Sequence, residues 1–144
     1  MPIYQNEQPS FRVVTCFLMR DEKILILKRS NKVGTFRGKW AALSGFVESY
    51  PQHQALTEIH EETRLEKADI ELVKAGIPFE VEDEENSVTW VIHPYLYQVV
   101  SQKEICIDEE HFEFEWIEPD ALSKYDTVPG LEEALARVTE VDEE

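Results

Sequence analysis

Apolar residues along the chain occur in short runs that predict strands more often than helices. Residues 11–19 and 88–100 are rich in β-branched and aromatic side chains and predict buried strands. The second is apolar on both faces, which predicts a central strand, and Pro94 within it predicts a bulge or another irregularity. Shorter runs predict strands at residues 24–27, 40–43, 68–75, 77–81 and 112–117, with turns at residues 20–23 and 82–87.

Two longer segments have helical character. The first begins at Pro51, which suits a first helical turn, and runs to about Arg64. Because it ends on arginine, we expect it to lack the left-handed exit that glycine usually provides. A final helix is predicted from Pro129, with Asp126 or Thr127 as its cap, and a short helix over residues 119–124.

This order of elements predicts one α/β domain over residues 1–144, in which a mixed β-sheet lies between helices. Periodicity alone is also compatible with several other α/β or α+β arrangements. No apolar run reaches the roughly eighteen residues that a membrane span requires. The polar N-terminus lacks the build of a signal peptide, so we expect no membrane association and a cytoplasmic location.

The formal net charge of −16 at pH 7 disfavours a nucleic-acid polymer as the partner, because such binding depends on many basic contacts to phosphate. Five basic residues nevertheless fall within one short segment: Lys28, Arg29, Lys32, Arg37 and Lys39. They could bind a small phosphorylated ligand or form a solvated loop. Cys16 and Cys106 are both predicted to be reduced core residues, since neither has a partner at disulfide or zinc spacing.

Three glutamates on the first helix are the main candidates for chemistry. Glu58, Glu61 and Glu62 have the spacing that shares one helical face, so their carboxylates are expected to converge. Carboxylates this close repel one another unless a cation lies among them, and hard oxygen ligands suit Mg²⁺ or Mn²⁺. An ordinary solvated helix face is the alternative in a chain with 30 acidic residues.

The segment from Ser44 to Leu65, SGFVESYPQHQALTEIHEETRL, resembles the signature of the Nudix hydrolases, G-x5-E-x7-R-E-U-x-E-E-x-G-U, where U is a large aliphatic residue. The three glutamates and both aliphatic positions match. The interval from Gly45 to Glu58 is two residues short, and the isolated glutamate within it has no clear counterpart. Thr57 stands in place of the arginine and Arg64 in place of the second glycine.

The resemblance implies a fold and a site. The implied fold is the Nudix α/β/α sandwich with its mixed sheet. The metal ligands would be the three glutamates with the carbonyl of Gly45, and Glu110, six residues before Trp116, resembles a late acid that reaches the metal. The acid that takes the proton varies within the family, so Glu58 and Glu110 are both candidates for the general base. The candidate substrate-binding residues are Arg29, Phe36, Arg37 and Glu48, and Phe79 and Trp90 are further candidates to stack a base.

The implied activity is metal-dependent hydrolysis of a nucleoside diphosphate linked to another group X, with Mg²⁺ or Mn²⁺ as cofactor and a small nucleotide as substrate. Because the signature is altered, a weakly active or inactive nucleotide-binding sensor or assembly module is the alternative. A third reading is an acidic protein-interaction domain. Residues 13–48 and 125–138 also resemble a subgroup of Nudix domains, some related to initiation-factor-2B-like proteins in archaea. Members of the family often form homodimers, which is an expectation here.

Overall fold

The computed structural model describes residues 8–30, 36–107 and 112–140. Within them, eight strands form one sheet: β1 (Ser10–Arg20), β2 (Lys23–Arg29), β3 (Trp40–Ala41), β4 (Leu43–Phe46), β5 (Ile70–Ala75), β6 (Phe79–Asp83), β7 (Val88–Val99) and β8 (Phe112–Ile117). The α-helices are α1 (Pro51–Thr63) and α2 (Leu131–Thr139), and 3₁₀ turns cover Lys67–Asp69 and Pro119–Lys124.

Strands β1 and β7 form the centre of the sheet. They are the two most apolar runs of the sequence and pair in parallel, from Ser10 opposite Thr89 to Met19 opposite Gln98. The other edge of β1 pairs antiparallel with β4 and then with β2, which in turn pairs with β3 and β8. The other edge of β7 pairs antiparallel with β6 and then with β5. The sheet is therefore mixed, as predicted.

Two hydrophobic clusters cover the two faces of this sheet. On one face, Ala55 and Ile59 of α1 pack against residues of β1 and β7 that include Cys16 and Tyr97. On the other face, α2 packs with Leu131, Ala134, Leu135 and Val138 against Phe17, Ile26, Ile92 and Leu96. Apolar residues alternate between the faces along each strand, which is how one strand supplies both cores. The α/β/α sandwich with a mixed sheet is confirmed.

Pro94 does not produce the predicted bulge in β7. The register of β7 against β1 is unbroken through the pair Thr15–Pro94. On its other edge, β7 changes partner at this point, from β6 at Ile92 to β5 at Tyr95. The register shift lies in β5, between residues 72 and 74. Proline has no N–H to donate. Because Pro94 lies where β7 passes from one neighbouring strand to the next, neither strand pair loses a backbone hydrogen bond to it.

Both predictions about helix ends were wrong. Arg64 adopts the left-handed conformation itself, with φ 69° and ψ 5°, and its N–H donates to the carbonyl of His60. The Arg64 carbonyl accepts a hydrogen bond of 2.8 Å from Lys103 Nζ, which helps to hold this conformation. Helix α2 is capped by Gly130 and not by a side chain. The backbone carbonyl of Asp126 instead accepts a hydrogen bond from the N–H of Trp40.

The two cysteines differ in environment. Cys16 is fully buried on β1, as predicted, whereas Cys106 is exposed, so its assignment to the core was wrong. The backbone N–H of Cys106 donates to the carbonyl of Thr63, and the flanking Ile105 and Ile107 pack against the core. In an extended segment, neighbours of inward-facing residues point outward, which explains the exposure.

Candidate active site

Helix α1 presents Glu58 and Glu62 to the end of strand β4. The two residues are one helical turn apart and therefore lie on one side of the helix. Ala55 and Ile59, both fully buried, fix the orientation of this helix against β1. Strand β4 ends at Phe46 and the helix begins at Pro51, so a short connection keeps the acids beside the strand.

Gly45 leaves the space that Glu58 occupies. A Cβ atom built on Gly45 would clash with the Cδ and Oε2 atoms of Glu58. Any side chain at this position would therefore displace the carboxylate from the strand. The close approach also places the backbone of β4 next to the acids, which gives the glycine of the motif a physical role.

Glu62 is the most perturbed acid of the site. Its pKa is raised to about 8, chiefly by burial and then by the charge of neighbouring Glu58, against the lowering effects of the Arg29 guanidinium and of a hydrogen bond from the Ser44 N–H. One carboxylate oxygen, Oε2, is buried without a hydrogen-bond partner among the residues that the structure describes. A buried acceptor left in this state is costly unless a donor or a cation satisfies it.

Glu58 is held by a residue that the sequence reading missed. Burial raises the pKa of Glu58, and a hydrogen bond from Gln54 opposes that rise. Gln54 Nε2 donates to Glu58 Oε2 at 2.8 Å, while Gln54 Oε1 accepts from the backbone N–H of Glu48 at 3.2 Å. The buried amide of Gln54 thus joins the connection before α1 to the carboxylate of Glu58. The position of Gln54, four residues before Glu58, could have indicated this contact, because residues four apart are neighbours on a helix.

These residues fit a divalent cation. The unsatisfied oxygen of Glu62, the adjacent carboxylate of Glu58 and the nearby backbone of Gly45 are oxygen donors of the type that Mg²⁺ and Mn²⁺ prefer. The side chain of Glu61 is exposed, although its charge raises the pKa of both neighbours. Within residues 8–30, 36–107 and 112–140, no three His, Cys, Asp or Glu side chains form a group that could hold a metal. The part assigned to Glu61 stays a prediction.

Arg29 connects the acids to a neighbouring cleft. Burial lowers the pKa of its guanidinium and the charge of Glu62 raises it, so the two side chains interact. Arg29 also lines the cleft. The other basic residues of this segment that the structure describes differ: Lys28 lies 3.9 Å from Glu113, Lys39 bonds Asp126 at 2.9 Å, and Arg37 is exposed. Lys32 lies outside the described residues. Arg37 is not among the residues that line the cleft.

The cleft has a volume of about 300 Å³ and a mostly apolar lining. Its polar lining residues, among those the structure describes, are Thr15, Arg29 and Ser44. The remaining lining residues are apolar or aromatic: Val13, Phe36, Ala41, Gly45, Phe46, Trp90, Ile92, Val128 and Pro129. An apolar cleft with few polar groups is typical of a site for a small organic ligand.

Strand β4 separates the cleft from the acids. Ser44 and Phe46 pair with Thr15 and Val13, which face the cleft, whereas Gly45 pairs with Val14, which packs on the α1 side. Alternating positions of one strand therefore serve both regions. At another wall of the cleft, before α2, Gly130 has φ 86° and lies so close to Ile92 that a Cβ on Gly130 would be 2.9 Å from Ile92 Cδ1. This approach brings Val128 and Pro129 to the cleft.

The predicted stacking residues divide between the cleft and the core. Phe36 and Trp90 line the cleft, whereas Phe79 packs in the α2-side core with the Arg137 guanidinium 4.7 Å from its ring centroid. Glu48 is exposed near the start of α1 and raises the pKa of Glu58. Glu110 lies outside the described residues. Thr15 was missed because a threonine within an apolar run predicts a strand and indicates no chemistry.

Comparison with known proteins identifies the family. The family model described as NUDIX domain matches residues 9–138. The nucleoside triphosphatase NudI of Escherichia fergusonii is 28% identical over 125 residues, which cover 80% of this chain and 87% of that protein. The protein of the same name from Salmonella agona is 25% identical over 135 residues, covering 87% and 94% respectively.

Solved structures support the same fold. A MutT NUDIX hydrolase from Burkholderia pseudomallei superposes with a TM-score of 0.65 at 24% identity, covering 92% of this chain and all of that chain. The Ap4A hydrolase of C. elegans in a binary complex superposes with a TM-score of 0.69 at 14% identity, covering 88% and 93%. Because the family model covers most of the sequence, the chain belongs to the NUDIX family and is a hydrolase.

Proposed function

We propose that this protein is a metal-dependent pyrophosphohydrolase that cleaves a nucleoside diphosphate linked to another group X. The observation that carries the proposal is the partly buried pair Glu58 and Glu62 beside Gly45, with one buried carboxylate oxygen of Glu62 unsatisfied among the described residues. Nucleoside triphosphates, in which X is a phosphate, are the first substrates to test because the relatives named NudI are nucleoside triphosphatases.

In the proposed site, Glu58, Glu61, Glu62 and the carbonyl of Gly45 hold Mg²⁺ or Mn²⁺. When bound there, the cation would supply positive charge that offsets the charge of the diphosphate. Gln54 holds Glu58 through the 2.8 Å hydrogen bond, so the carboxylate keeps one orientation. Glu58 or Glu110 accepts the proton of the attacking water.

Arg29 binds phosphate oxygens in this proposal. Its guanidinium interacts with Glu62 at one end and lines the cleft, so it lies between the place of reaction and the place of the nucleoside. Arginine presents paired donors that match two phosphate oxygens and stabilises negative charge that develops there. Arg37 and Glu48 would contact parts of the substrate that extend beyond the cleft.

The base of the nucleotide occupies the apolar cleft. A flat ring gains most from apolar and aromatic walls, which Phe36, Phe46 and Trp90 supply. Thr15 of β1 lines the strand floor of the cleft and is 8% exposed. The volume of about 300 Å³ suits a small ligand of this size.

No helix in the described part of the chain is both long enough and apolar enough to cross a bilayer. A cytoplasmic location, a homodimer, a single domain over residues 1–144 and the initiation-factor-2B-like subgroup stay predictions.

The test is a turnover panel with Mg²⁺ and with Mn²⁺. Its substrates are nucleoside triphosphates, nucleoside diphosphate sugars, ADP-ribose and dinucleoside polyphosphates. Glu62→Gln and Glu58→Gln are expected to lose activity by about a hundredfold or more. Glu71→Gln, which removes an exposed acid of β5, is the matched control and should behave like the parent. Parent-like turnover in both active-site variants would overturn the proposed site.

The altered motif favours one other function, a nucleotide-binding module without turnover. Thr57 removes the arginine that would pair with the helix acids, and the connection from Gly45 to the helix is short. Saturable nucleotide binding with no metal-dependent product from any member of the panel would support this alternative.

A further inference from the structure

Two rings that line the cleft, those of Phe46 and Trp90, form an aromatic cluster with a third ring, that of Phe11, which is not part of the lining. Phe11, Phe46 and Trp90 have ring centroids 5.9, 6.0 and 6.1 Å apart in the three pairs. Phe11 is 41% exposed and Phe46 is 56% exposed, so two rings of the cluster stand at the surface. Trp90 is more enclosed and lines the cleft together with Phe46.

Trp90 is fixed by a buried carboxylate that lies outside the cleft. Trp90 Nε1 donates to Asp83 Oδ2 at 3.1 Å. Asp83 is 6% exposed and also accepts from the N–H of Asn86 at 3.1 Å and from Asn86 Nδ2 at 2.7 Å. Asp83 ends β6 and pairs with Val88, and Trp90 pairs with Val81, so the carboxylate and the indole lie on one face of the hairpin.

The simpler role for Asp83 is closure of the turn between β6 and β7. Its two hydrogen bonds with Asn86 serve that role, as an Asp side chain commonly does in a turn. The bond from Trp90 is different, because Trp90 lies within β7 and beyond the turn. A hydrogen bond to the indole N–H restrains rotation of the ring about the side chain, which is otherwise soft.

We propose that Asp83 is a positioning residue for substrate binding: by holding the indole of Trp90, it keeps one wall of the cleft in place for a flat aromatic group. This inference rests on the proposed function, in which that group is the base of a nucleotide. Asp83 does not line the cleft and takes no part in the phosphate chemistry, so its effect is on affinity for the ring.

Three substitutions separate this role from closure of the turn. Asp83→Ala removes the acceptor, and Trp90→Phe removes the indole N–H but keeps a ring. Asn86→Ala is the matched control, because it loosens the same turn and leaves the bond between Asp83 and Trp90. Asp83→Asn keeps an acceptor oxygen and is expected to restore most of the parent behaviour.

Two assays measure the effect. In turnover, Asp83→Ala is expected to raise KM about tenfold with kcat within about twofold, and Asn86→Ala should keep the parent KM. In binding, tryptophan fluorescence is titrated with adenosine monophosphate and guanosine monophosphate, and with ribose 5-phosphate, which lacks the base. Asp83→Ala should weaken both nucleotides about tenfold and leave ribose 5-phosphate unchanged.

The outcomes distinguish the inference from the proposed function. In one outcome, the parent binds nucleotides without turnover and Asp83→Ala weakens that binding. This result would support the inference and overturn the hydrolase assignment. Turnover by the parent with the same KM in Asp83→Ala would overturn the inference alone. Equal increases of KM in Asp83→Ala and Asn86→Ala would also overturn it, since loss of the turn would then explain both. A parent that shows neither turnover nor nucleotide binding would overturn both.

Discussion

The carboxyl group of Glu58 lies where a side chain on Gly45 would begin. Gly45→Ala is therefore expected to push Glu58 away from β4 and to lower kcat/KM by about a hundredfold or more, because a small displacement of a catalytic group is costly. Overpacking should also lower the free energy of unfolding by about 1–3 kcal/mol. Steady-state kinetics and urea unfolding measure the two effects.

A double substitution tests the origin of the loss. Because the clash involves the side chain of Glu58, Gly45→Ala combined with Glu58→Ala should recover the stability that Gly45→Ala loses relative to the parent, while remaining inactive. Additive losses of stability would show that the alanine clashes with something other than Glu58.

Glu62 is expected to destabilise the metal-free protein. Its burial, its proximity to Glu58 and the unsatisfied Oε2 all cost free energy. In buffer with a chelator, Glu62→Gln should raise the free energy of unfolding by about 1 kcal/mol, which raises Tm by about 2–4 °C for a chain of this length. Thermal denaturation with and without Mg²⁺ measures this effect.

The same experiment tests the metal site. Mg²⁺ at millimolar concentration should raise the Tm of the parent, because a ligand that binds only the folded state stabilises it. It should leave the Tm of Glu62→Gln almost unchanged. Equal stabilisation of both proteins by Mg²⁺ would place the cation elsewhere.

Thr15 is expected to influence the choice of base. Its hydroxyl is one of few polar groups in the lining of the cleft. Thr15→Val keeps the shape and removes the hydroxyl, so kcat/KM should fall about tenfold for a base that bonds it and little for the others. Thr15→Ser, which keeps the hydroxyl, is the control. An unchanged ranking of the four bases in Thr15→Val would show that selection occurs elsewhere.

Asp83 should contribute to stability in a pH-dependent way. The hydrogen bond from the Asn86 side chain, the largest influence, and the one from Trp90 lower the pKa of Asp83 below its ordinary value. A lowered folded-state pKa gives stability that is present above the unfolded pKa, about 4, and is lost as the pH falls through the folded pKa. The stability difference between the parent and Asp83→Asn should therefore be constant above about pH 5 and shrink below about pH 4.

Urea unfolding followed by tryptophan fluorescence between pH 3 and 7 measures that difference. A difference that grows as the pH falls would contradict the lowered pKa.

The sequence predicted the sheet and both helices because their apolar residues follow clear periods. Residues 88–100 are apolar on both faces, which correctly indicated the centre of the sheet. The helix ends were mispredicted because they depend on contacts from distant segments. Arg64 adopts the left-handed conformation with its carbonyl bonded to Lys103. The backbone of residue 126 pairs with Trp40, and α2 begins only at Leu131, with Gly130 as its cap.

The closeness of Glu58 and Glu62 was predicted from their spacing, but the residues that hold them in place were not. Glu58 and Glu62 lie together because an i, i+4 pair shares a helical face, which the sequence states directly. One hydrogen bond joins the Gln54 side chain to the backbone of Glu48, and another joins the Trp90 indole to the Asp83 carboxylate. No sequence motif relates the two members of either pair. Trp90 and Val128 line the same cleft because of the sheet register and the close approach of Gly130 to Ile92. Both relationships are visible only in the folded chain.

Strand β4 has a consequence for how this enzyme could diversify. Gly45 lies against Glu58, and Ser44, Gly45 and Phe46 all line the cleft, so a shift of this strand changes reaction and recognition together. In the hairpin of β6 and β7, Asp83 and Trp90 belong to the recognition side, since Trp90 lines the cleft and Asp83 accepts a hydrogen bond from its indole. New substrate preferences can therefore arise by substitutions in that hairpin, while β4 tolerates few changes and links the two properties during evolution.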